Sequence, residues 1–584
     1  MKKLVFVVSP YSTTITSLKV EKTKKKKSSR AAPLSFPLGV LNLSSTVKKT
    51  LNDYNDDNVE LIDFNYLHDG PFHEKVVEDA FKNIIREKNN GKDYIFAITL
   101  MFSCSWEPFN LVINFIRNNY PDSTIIVGGV HATFAYKYIL ANTPANYVIR
   151  GEGEISFPEL IKNLDNEENI QKIEGVYDNK KALNAPPKVS PILAYKDVPA
   201  PDYKILKGKD KYFDYKSHVS VNVEGENKKI KWAQIVTSRG CPFDCPYCVA
   251  TRFSGKSVRY KPGPQMASEM RYLYEKHNVT GFVPEDDFFI GPKQRLEELL
   301  EVFKSTNIPD MKITLRNGVN VNTLNDAKID ILEAMGCNSV TLAIESGSAH
   351  TQKNIIKKNV DLEKAPIILE TFREKNIEVK TFIMVGLPKE TDEMREETIN
   401  YAASLNMDWS NVYLFYPIIG TTFYEEMHAA GEITNGPETW DNLSPFSRDF
   451  DHMGKTGLNW QDILMDADIR INYAGNGNIR KGNYKRAYTY FNIIRKHSPE
   501  NIFTRICALL CADKLNMTNE SKIITEEIDK LVKNDKVYNY YLKFENALFQ
   551  NSIFNKYKLS NNKTSAFQIY PSDTRQKQEL VRDI

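Results

Sequence analysis

Three of the seven cysteines fall within eight residues, in the segment Thr237-Ser-Arg-Gly-Cys241-Pro-Phe-Asp-Cys245-Pro-Tyr247-Cys248. The C-x3-C-x2-C spacing puts three thiolates into one short loop. Three thiolates cannot complete the four-ligand shell of a closed structural zinc site. They can hold three irons of a 4Fe–4S cluster. The fourth iron then has no protein ligand and stays open to a small molecule, and open coordination means chemistry. The prolines after Cys241 and Cys245 each remove a backbone N–H and fix φ, which stiffens the loop. The plainer alternatives are a zinc site completed by a remote His or Cys, or three bystander thiols. Cys104 and Cys337 read as small buried hydrophobes, and Cys507 and Cys511, one helical turn apart, as core packing. An odd count of seven is no disulfide framework. The N-terminal apolar run is too short for a signal peptide, so a reducing cytoplasm is the expected location.

Such a loop needs a rigid scaffold, and the flanking chain supplies the pattern of one. Residues 231–425 alternate strand candidates (Ala233–Thr237, Gly281–Val283, Lys312–Leu315, Ser339–Ile344, Val379–Val385, Asn411–Tyr416) with helical stretches. That length suits a full or partial parallel barrel, whose chemistry sits at the carboxyl ends of its strands. Residues 1–195 repeat the alternation, with strands expected at Lys3–Val8, Val59–Phe64, Tyr94–Met101, Ser123–Val127 and Tyr147–Ile149. This predicts a doubly wound α/β domain, with glycines at strand ends where open sheets bind ligands. Prolines 186, 187, 191, 199 and 201 mark a linker that closes at about residue 230. Residues 446–584 turn helical, and 482–515 resemble one tetratricopeptide-like helix pair. The expected units are therefore 1–195, a linker 196–230, a barrel 231–445 and a helical region 446–584. The Lys22–Lys27 run reads as a solvated loop.

Composition sets outer bounds. The 584 residues carry 77 Lys+Arg against 74 Asp+Glu, a net charge of +3, with 41% hydrophobic residues. That is a globular chain, and its near-neutral charge argues against a dedicated nucleic-acid binder while leaving room for a local basic patch. No apolar run approaches the roughly 18 residues of a membrane span.

The segment CPFDCPYC resembles the cluster motif of radical S-adenosylmethionine enzymes, a C-x3-C-x-aromatic-C loop after the first barrel strand. The resemblance implies a partial (β/α)6 barrel in which the open iron chelates S-adenosylmethionine. One electron from the cluster then yields a 5′-deoxyadenosyl radical, which abstracts an unactivated hydrogen. Later strand ends agree. Pro284-Glu285-Asp286-Asp287 looks like the acidic motif near the cofactor's amino group. Arg316-Asn317-Gly318 ends the next strand. Ile344-Glu345-Ser346-Gly347-Ser348 resembles the family's ES-G-S end, and Gly386-Leu387-Pro388-Lys389-Glu390-Thr391 its G-x-P-x-E-T turn. Tyr416-Pro417 through Tyr424 resembles the P-x-x-G-T-x-x-Y close of the sixth strand. Carried over, Cys241, Cys245 and Cys248 hold the cluster, and Tyr247, Asp286, Asp287, Arg316, Glu345, Ser346, Gly386 and Pro388 meet S-adenosylmethionine.

The N-terminal part resembles the cobalamin-binding domain found ahead of many such barrels. The matching segments are Phe36-Pro37-Leu38-Gly39-Val40-Leu41, Thr99-Leu100-Met101, Val127-Gly128-Gly129-Val130-His131-Ala132-Thr133 and Arg150-Gly151-Glu152-Gly153-Glu154. They imply cobalamin contacts at Leu38, Gly39, Thr99, Met101, Gly128, Gly129, His131, Gly151 and Glu152. The loop after Val59–Phe64 lacks the D-x-H-x-x-G of mutase-type proteins, so His68 and His73 are not expected on cobalt. The function implied is methyl transfer to an unactivated carbon, with an organic substrate and an electron donor such as flavodoxin or ferredoxin. The alternatives are a radical cyclisation or rearrangement that uses cobalamin differently or not at all, and a non-catalytic cobalamin or Fe–S sensor.

Overall fold

The computed structural model describes residues 2–10, 34–68, 72–82, 92–206, 208, 210–213, 230–440 and 457–559. The Lys22–Lys27 run, much of the expected linker and the polar C-terminal stretch lie outside the described residues.

The N-terminal strands are near-continuous apolar runs, as sheets covered on both faces require. They are β1 (Lys3–Val8), β2 (Val59–Asp63), β3 (Tyr94–Thr99), β4 (Thr124–Gly128), β5 (Tyr147–Ile149) and β6 (Val176–Tyr177). Their order is β2-β1-β3-β4-β5-β6, parallel except for β6. The two-residue β6 is too short to show a period in the sequence. This order reverses between β1 and β3, so their carboxyl ends flank the crevice in which doubly wound sheets bind ligands.

A two-stranded ribbon, β8 (Ser238–Arg239) and β9 (Arg259–Tyr260), follows β7 (Trp232–Ile235). Then come β10 (Gly281–Pro284), β11 (Lys312–Val319), β12 (Cys337–Glu345), β13 (Glu378–Val385) and β14 (Trp409–Leu414). β7 and β10 to β14 pair in parallel, each with the next. Helices Gly263–His277, Lys293–Ser305, Asp326–Ala334, Lys364–Glu374 and Asp392–Ser404 connect them. The result is the expected six-stranded partial barrel, with β7 and β14 at the two ends of its strand order.

The proline-rich stretch ahead of β7 is packed rather than loose. Tyr195, Tyr203 and Tyr212 are buried. Tyr203 donates to Glu269 at 2.8 Å, and Tyr212 donates to Asp63. Phe36 stacks on Tyr212 with centroids 5.5 Å apart. Aromatic anchors need no sequence period, which is why the segment reads as a linker.

Helix Trp460–Asp468 lies along β14 and covers that edge. Helices Tyr484–His497 and Ile502–Lys514 form the expected pair, and Thr518–Val532 and Asp535–Phe549 add a second. Phe491, Ile506, Leu510, Ile524, Ile528 and Tyr541 fill their shared core, with Cys507 and Cys511 inside it. Among the described residues no helix is long and apolar enough to cross a membrane.

Candidate active site

The cysteines lie on the connection that leaves the carboxyl end of β7. Arg239 pairs with Arg259 and Ser238 with Tyr260, so residues 240–258 form a loop closed at its stem. Gly240 opens it at φ 94°, and a Cβ there would sit 2.4 Å from the Ser257 carbonyl oxygen. Only glycine fits. Cys241 N–H donates to the Gly255 carbonyl at 3.1 Å, and Cys248 N–H to the Cys245 carbonyl at 3.0 Å. The Pro246 carbonyl accepts from Phe423 N–H at 3.1 Å, which ties the loop to the chain beyond β14. Cys241 and Cys245 are half-buried, and Cys248 is exposed. Burial pushes the Cys241 and Cys245 thiols up, while the Lys358 charge pulls both down. Ligand thiols lose their protons on binding metal, so a nearby cation favours the ligating form. Among the described residues no three His, Cys, Asp or Glu side chains gather around one metal-ion position. A cubane asks instead for three cysteines on three different irons.

The acidic motif braces this loop. Asp286 is buried and accepts from Thr237 N–H at 2.7 Å, from the Thr237 hydroxyl and from the Ser238 hydroxyl at 2.8 Å. Asp287 accepts from Gly240 N–H at 3.0 Å. The sequence places both carboxylates on S-adenosylmethionine. The structure gives Asp286 a different task, because a buried carboxylate must be satisfied by hydrogen bonds and these come from the strand leading into the loop. Their neighbour Glu285 accepts from Arg316 and from Gln234 at 2.5 Å. Gln234 in turn accepts from Phe36 N–H at 2.7 Å, so this line of contacts reaches the N-terminal domain. Arg316 sits in a bulge, where pairing jumps from Leu315–Val340 to Val319–Leu342. Bulges re-aim side chains next to active sites.

At the end of β12, Glu345 has φ 69°, a left-handed conformation that non-glycine residues adopt at a cost. It accepts from Lys358 at 2.9 Å and from Tyr247 at 3.3 Å. Tyr247 also packs into an apolar cluster with Leu387, Phe415 and Phe423. Cys245, Tyr247, Glu345 and Lys358 thus share one neighbourhood. Ser346 does not face it freely. It is buried, 2.7 Å from the Thr398 hydroxyl, and accepts from Ser348 N–H at 3.1 Å. Lys358 escapes motif reading because it follows Glu345 by 13 residues, beyond the short π-helix Thr351–Ile355.

Gly386 and Pro388 are buried on the turn after β13, where Gly386 N–H donates to Glu390 at 2.6 Å. The other Glu390 oxygen is buried without a partner. Burial pushes the Glu390 carboxyl from 4.5 up to about 7. A folded value above the unfolded one means the folded state holds the proton more tightly. Stability from this group is present below pH 4.5 and lost as pH rises through 7. Glu390→Gln keeps the acceptor without the charge. Its melting temperature is expected to fall less than the wild type's across that window, measured by circular dichroism. Parallel curves would remove Glu390 as the source.

The N-terminal sheet presents its carboxyl end to the barrel. Leu67, Met101 and Phe102 are exposed there. Gly128 has open space beside its Cα, and Gly39, next to half-buried Leu38, is exposed with open space too. Gly129 has φ 108°, and a Cβ would meet the Leu100 carbonyl oxygen at 2.6 Å and the Thr99 hydroxyl at 3.1 Å. Its glycine lets helix Val130–Asn142 start hard against β3. Gly151 N–H donates to the Thr133 hydroxyl at 2.9 Å. His131 is buried, with Nδ1 3.0 Å from the Ser103 hydroxyl and its ring edge-on to Trp440 at 4.6 Å. Burial pushes its pKa down to about 3, so it is neutral. Its Nε2 and the Ser105 hydroxyl are buried without partners. The sequence also places Glu152 on cobalamin. The structure instead engages both its oxygens with Arg239 and Arg259.

Residues 235–402 match the Radical SAM superfamily model. An uncharacterized methyltransferase of Pyrococcus horikoshii is 26% identical over 67% of this chain and 78% of its own. The cytidylyl-2-hydroxyethylphosphonate methyltransferase of Streptomyces wedmorensis is 24% identical over 62% of this chain and 76% of its own. The structure of OxsB, a cobalamin-dependent S-adenosylmethionine radical enzyme with aqua-cobalamin bound, superposes with TM-score 0.57 at 15% identity. That match covers 94% of this chain and 80% of that one. Residues 235–402 thus carry a radical SAM domain, and the chain as a whole shares the fold of the OxsB structure.

Proposed function

We propose that this enzyme binds cobalamin at the carboxyl end of its N-terminal sheet and methylates an unactivated carbon. One observation carries the reading: the carboxyl ends of both sheets meet in one apolar cluster. Leu100, Trp106 and Ala132 pack there with Tyr247, Phe415 and Phe423. The exposed Met101 and Phe102, the open Gly128 and the unpartnered polar atoms of His131 and Ser105 fit a flat macrocycle with an amide-rich rim. When bound, the cluster with S-adenosylmethionine supplies hydrogen abstraction, and cobalamin supplies the methyl group.

The chain's own residues bind, orient and shield. Cys241, Cys245 and Cys248 hold the cluster. Lys358 and Glu345 would meet the charged methionine end of S-adenosylmethionine, and Tyr247 would shield it from water. Gly386 and Pro388 would form the turn against its adenine. Arg316, paired with Glu285, would also meet S-adenosylmethionine, and a one-electron donor such as flavodoxin or ferredoxin completes the system with an organic substrate. Lys358→Met is expected to weaken S-adenosylmethionine binding by about tenfold, the scale of one lost charge-assisted contact. Equilibrium dialysis on cluster-loaded protein reads this out, and unchanged affinity would exclude Lys358 from the site.

The test of the function is anaerobic reconstitution with iron, sulfide and hydroxocobalamin, then S-adenosylmethionine and reductant. Bound cobalamin with both 5′-deoxyadenosine and S-adenosylhomocysteine formed is the expected result. Deoxyadenosine without bound cobalamin would favour cyclisation or rearrangement. A fully clustered protein that makes no deoxyadenosine, with candidate substrates present, would sink the catalytic reading.

A further inference from the structure

Two buried carboxylates and two largely buried guanidiniums lie between the N-terminal domain and the cysteine loop. Glu152 and Glu154 follow β5, while Arg239 and Arg259 stand opposite each other on β8 and β9, the two stems of that loop. Arg239 donates to Glu154 at 2.6 Å and to Glu152 at 3.1 Å. Arg259 donates to Glu152 through two nitrogens, one of them at 3.0 Å. The four side chains retain only 5–16% exposure. The Tyr195 ring covers the Arg239 guanidinium at 5.0 Å.

Exposed ion pairs of this kind do little. Here two carboxylates and two guanidiniums balance in a water-poor site, where charge-assisted bonds are strong and the planar guanidinium fixes direction. The placement is the informative feature. Both stems of one loop reach the same carboxylate, so a displacement of Glu152 moves both at once. Arg239 adjoins Gly240, which Asp287 grips from the barrel side, and Cys241 follows. On its other side Glu152 adjoins Gly151, which is bonded to Thr133 on the helix that starts at Gly129. One short path therefore joins the glycine-lined end of the N-terminal sheet to the cysteines.

We propose that Glu152 and Glu154 are positioning residues, through which the N-terminal domain sets the geometry of the cysteine loop. They act through Arg239 and Arg259 and touch no cofactor. The proposal rests on the reading that the loop carries a 4Fe–4S cluster, and it does not depend on cobalamin being bound.

The test compares full-length wild type, Glu152→Gln and the double variant Glu152→Gln/Arg259→Gln, each reconstituted anaerobically to equal iron content. The double variant leaves Glu154 and Arg239 paired, so no buried charge stands alone and it serves if the single variant does not fold. The readouts are the electron paramagnetic resonance spectrum of the reduced cluster, with and without S-adenosylmethionine, and the rate of 5′-deoxyadenosine formation. Thermal stability is not used, since any buried ion pair would move it. In both variants the spectral response to S-adenosylmethionine is expected to broaden or vanish, and the rate to fall about tenfold or more. A misplacement below 1 Å has effects of that order in a preorganised site. Variants that match the wild type in both readouts would overturn the proposal. So would a double variant that regains the wild-type spectrum, because the single variant's defect would then be an unpaired charge. A wild type that takes up no cluster would overturn the proposed function with it, which separates the two failures.

Discussion

Cys245→Ala is expected to abolish 5′-deoxyadenosine formation while leaving the fold intact. The thiol sits mid-loop, half-buried, and no core cluster includes it. The loop keeps its shape by other means: the β8–β9 stem, the Asp287 contact to Gly240 and the Pro246 contact to Phe423. Removing one of three thiolates leaves a cubane with two protein ligands, and the site-differentiated iron loses its meaning. Even changes one shell out from a metal cost about 10–100-fold, and loss of a ligand should exceed that, about 10³-fold or more in rate. Iron and sulfide analysis and product quantification measure this against a circular dichroism spectrum that should match the wild type. A variant that keeps a full cluster and makes deoxyadenosine would show that Cys245 is no ligand. Cys507→Ala makes the contrasting case, since that thiol lies in the helical core far from the loop.

What could be read from the sequence, and what could not, follows from the range of each interaction. The C-x3-C-x2-C spacing is local, and so are the apolar runs of β1, β3 and β12. Each names its own element without help from the rest of the chain. The Gly128-Gly129 turn is local too. Asp286 is different, because its identity as a carboxylate says nothing about which backbone it will serve. Its partners Thr237 and Ser238 lie 49 and 48 residues earlier. Glu152 finds Arg239 and Arg259 at separations of 87 and 107 residues. No periodicity encodes such meetings, so the same motif residue can be read as a cofactor contact or a domain clamp. His131 shows the reverse limit. Its motif position is local, but the Trp440 ring packed against it comes from over 300 positions away.

Asp408→Ala is expected to destabilise the protein by about 3–5 kcal/mol, the usual result of breaking a buried ion network by removing one partner. Asp408 precedes β14 at the amino end of the barrel and is fully buried. It accepts from Arg486 at 2.6 and 2.7 Å, from Asn478 at 2.9 Å and from Val379 N–H at 2.8 Å. Arg373 approaches it at 3.6 Å. Three units meet on this carboxylate: strand β13, helix Lys364–Glu374 and the C-terminal helices. Alanine would leave two guanidiniums facing each other with no counter-charge. A melting temperature about 10 °C lower is the scale to expect, with the cysteine loop, at the opposite end of the strands, still able to assemble its cluster. An unchanged melting temperature would mean that the C-terminal helices are held by apolar contacts alone. The distinction matters for chemistry as well as stability. β14 ends the strand order, and Phe415 and Tyr416 follow its carboxyl end beside the cofactor neighbourhood. A bolt at its amino end and helix Trp460–Asp468 along its length hold that edge in register. The helical region, which carries no catalytic motif, would then serve the active site by keeping one wall of the barrel from opening.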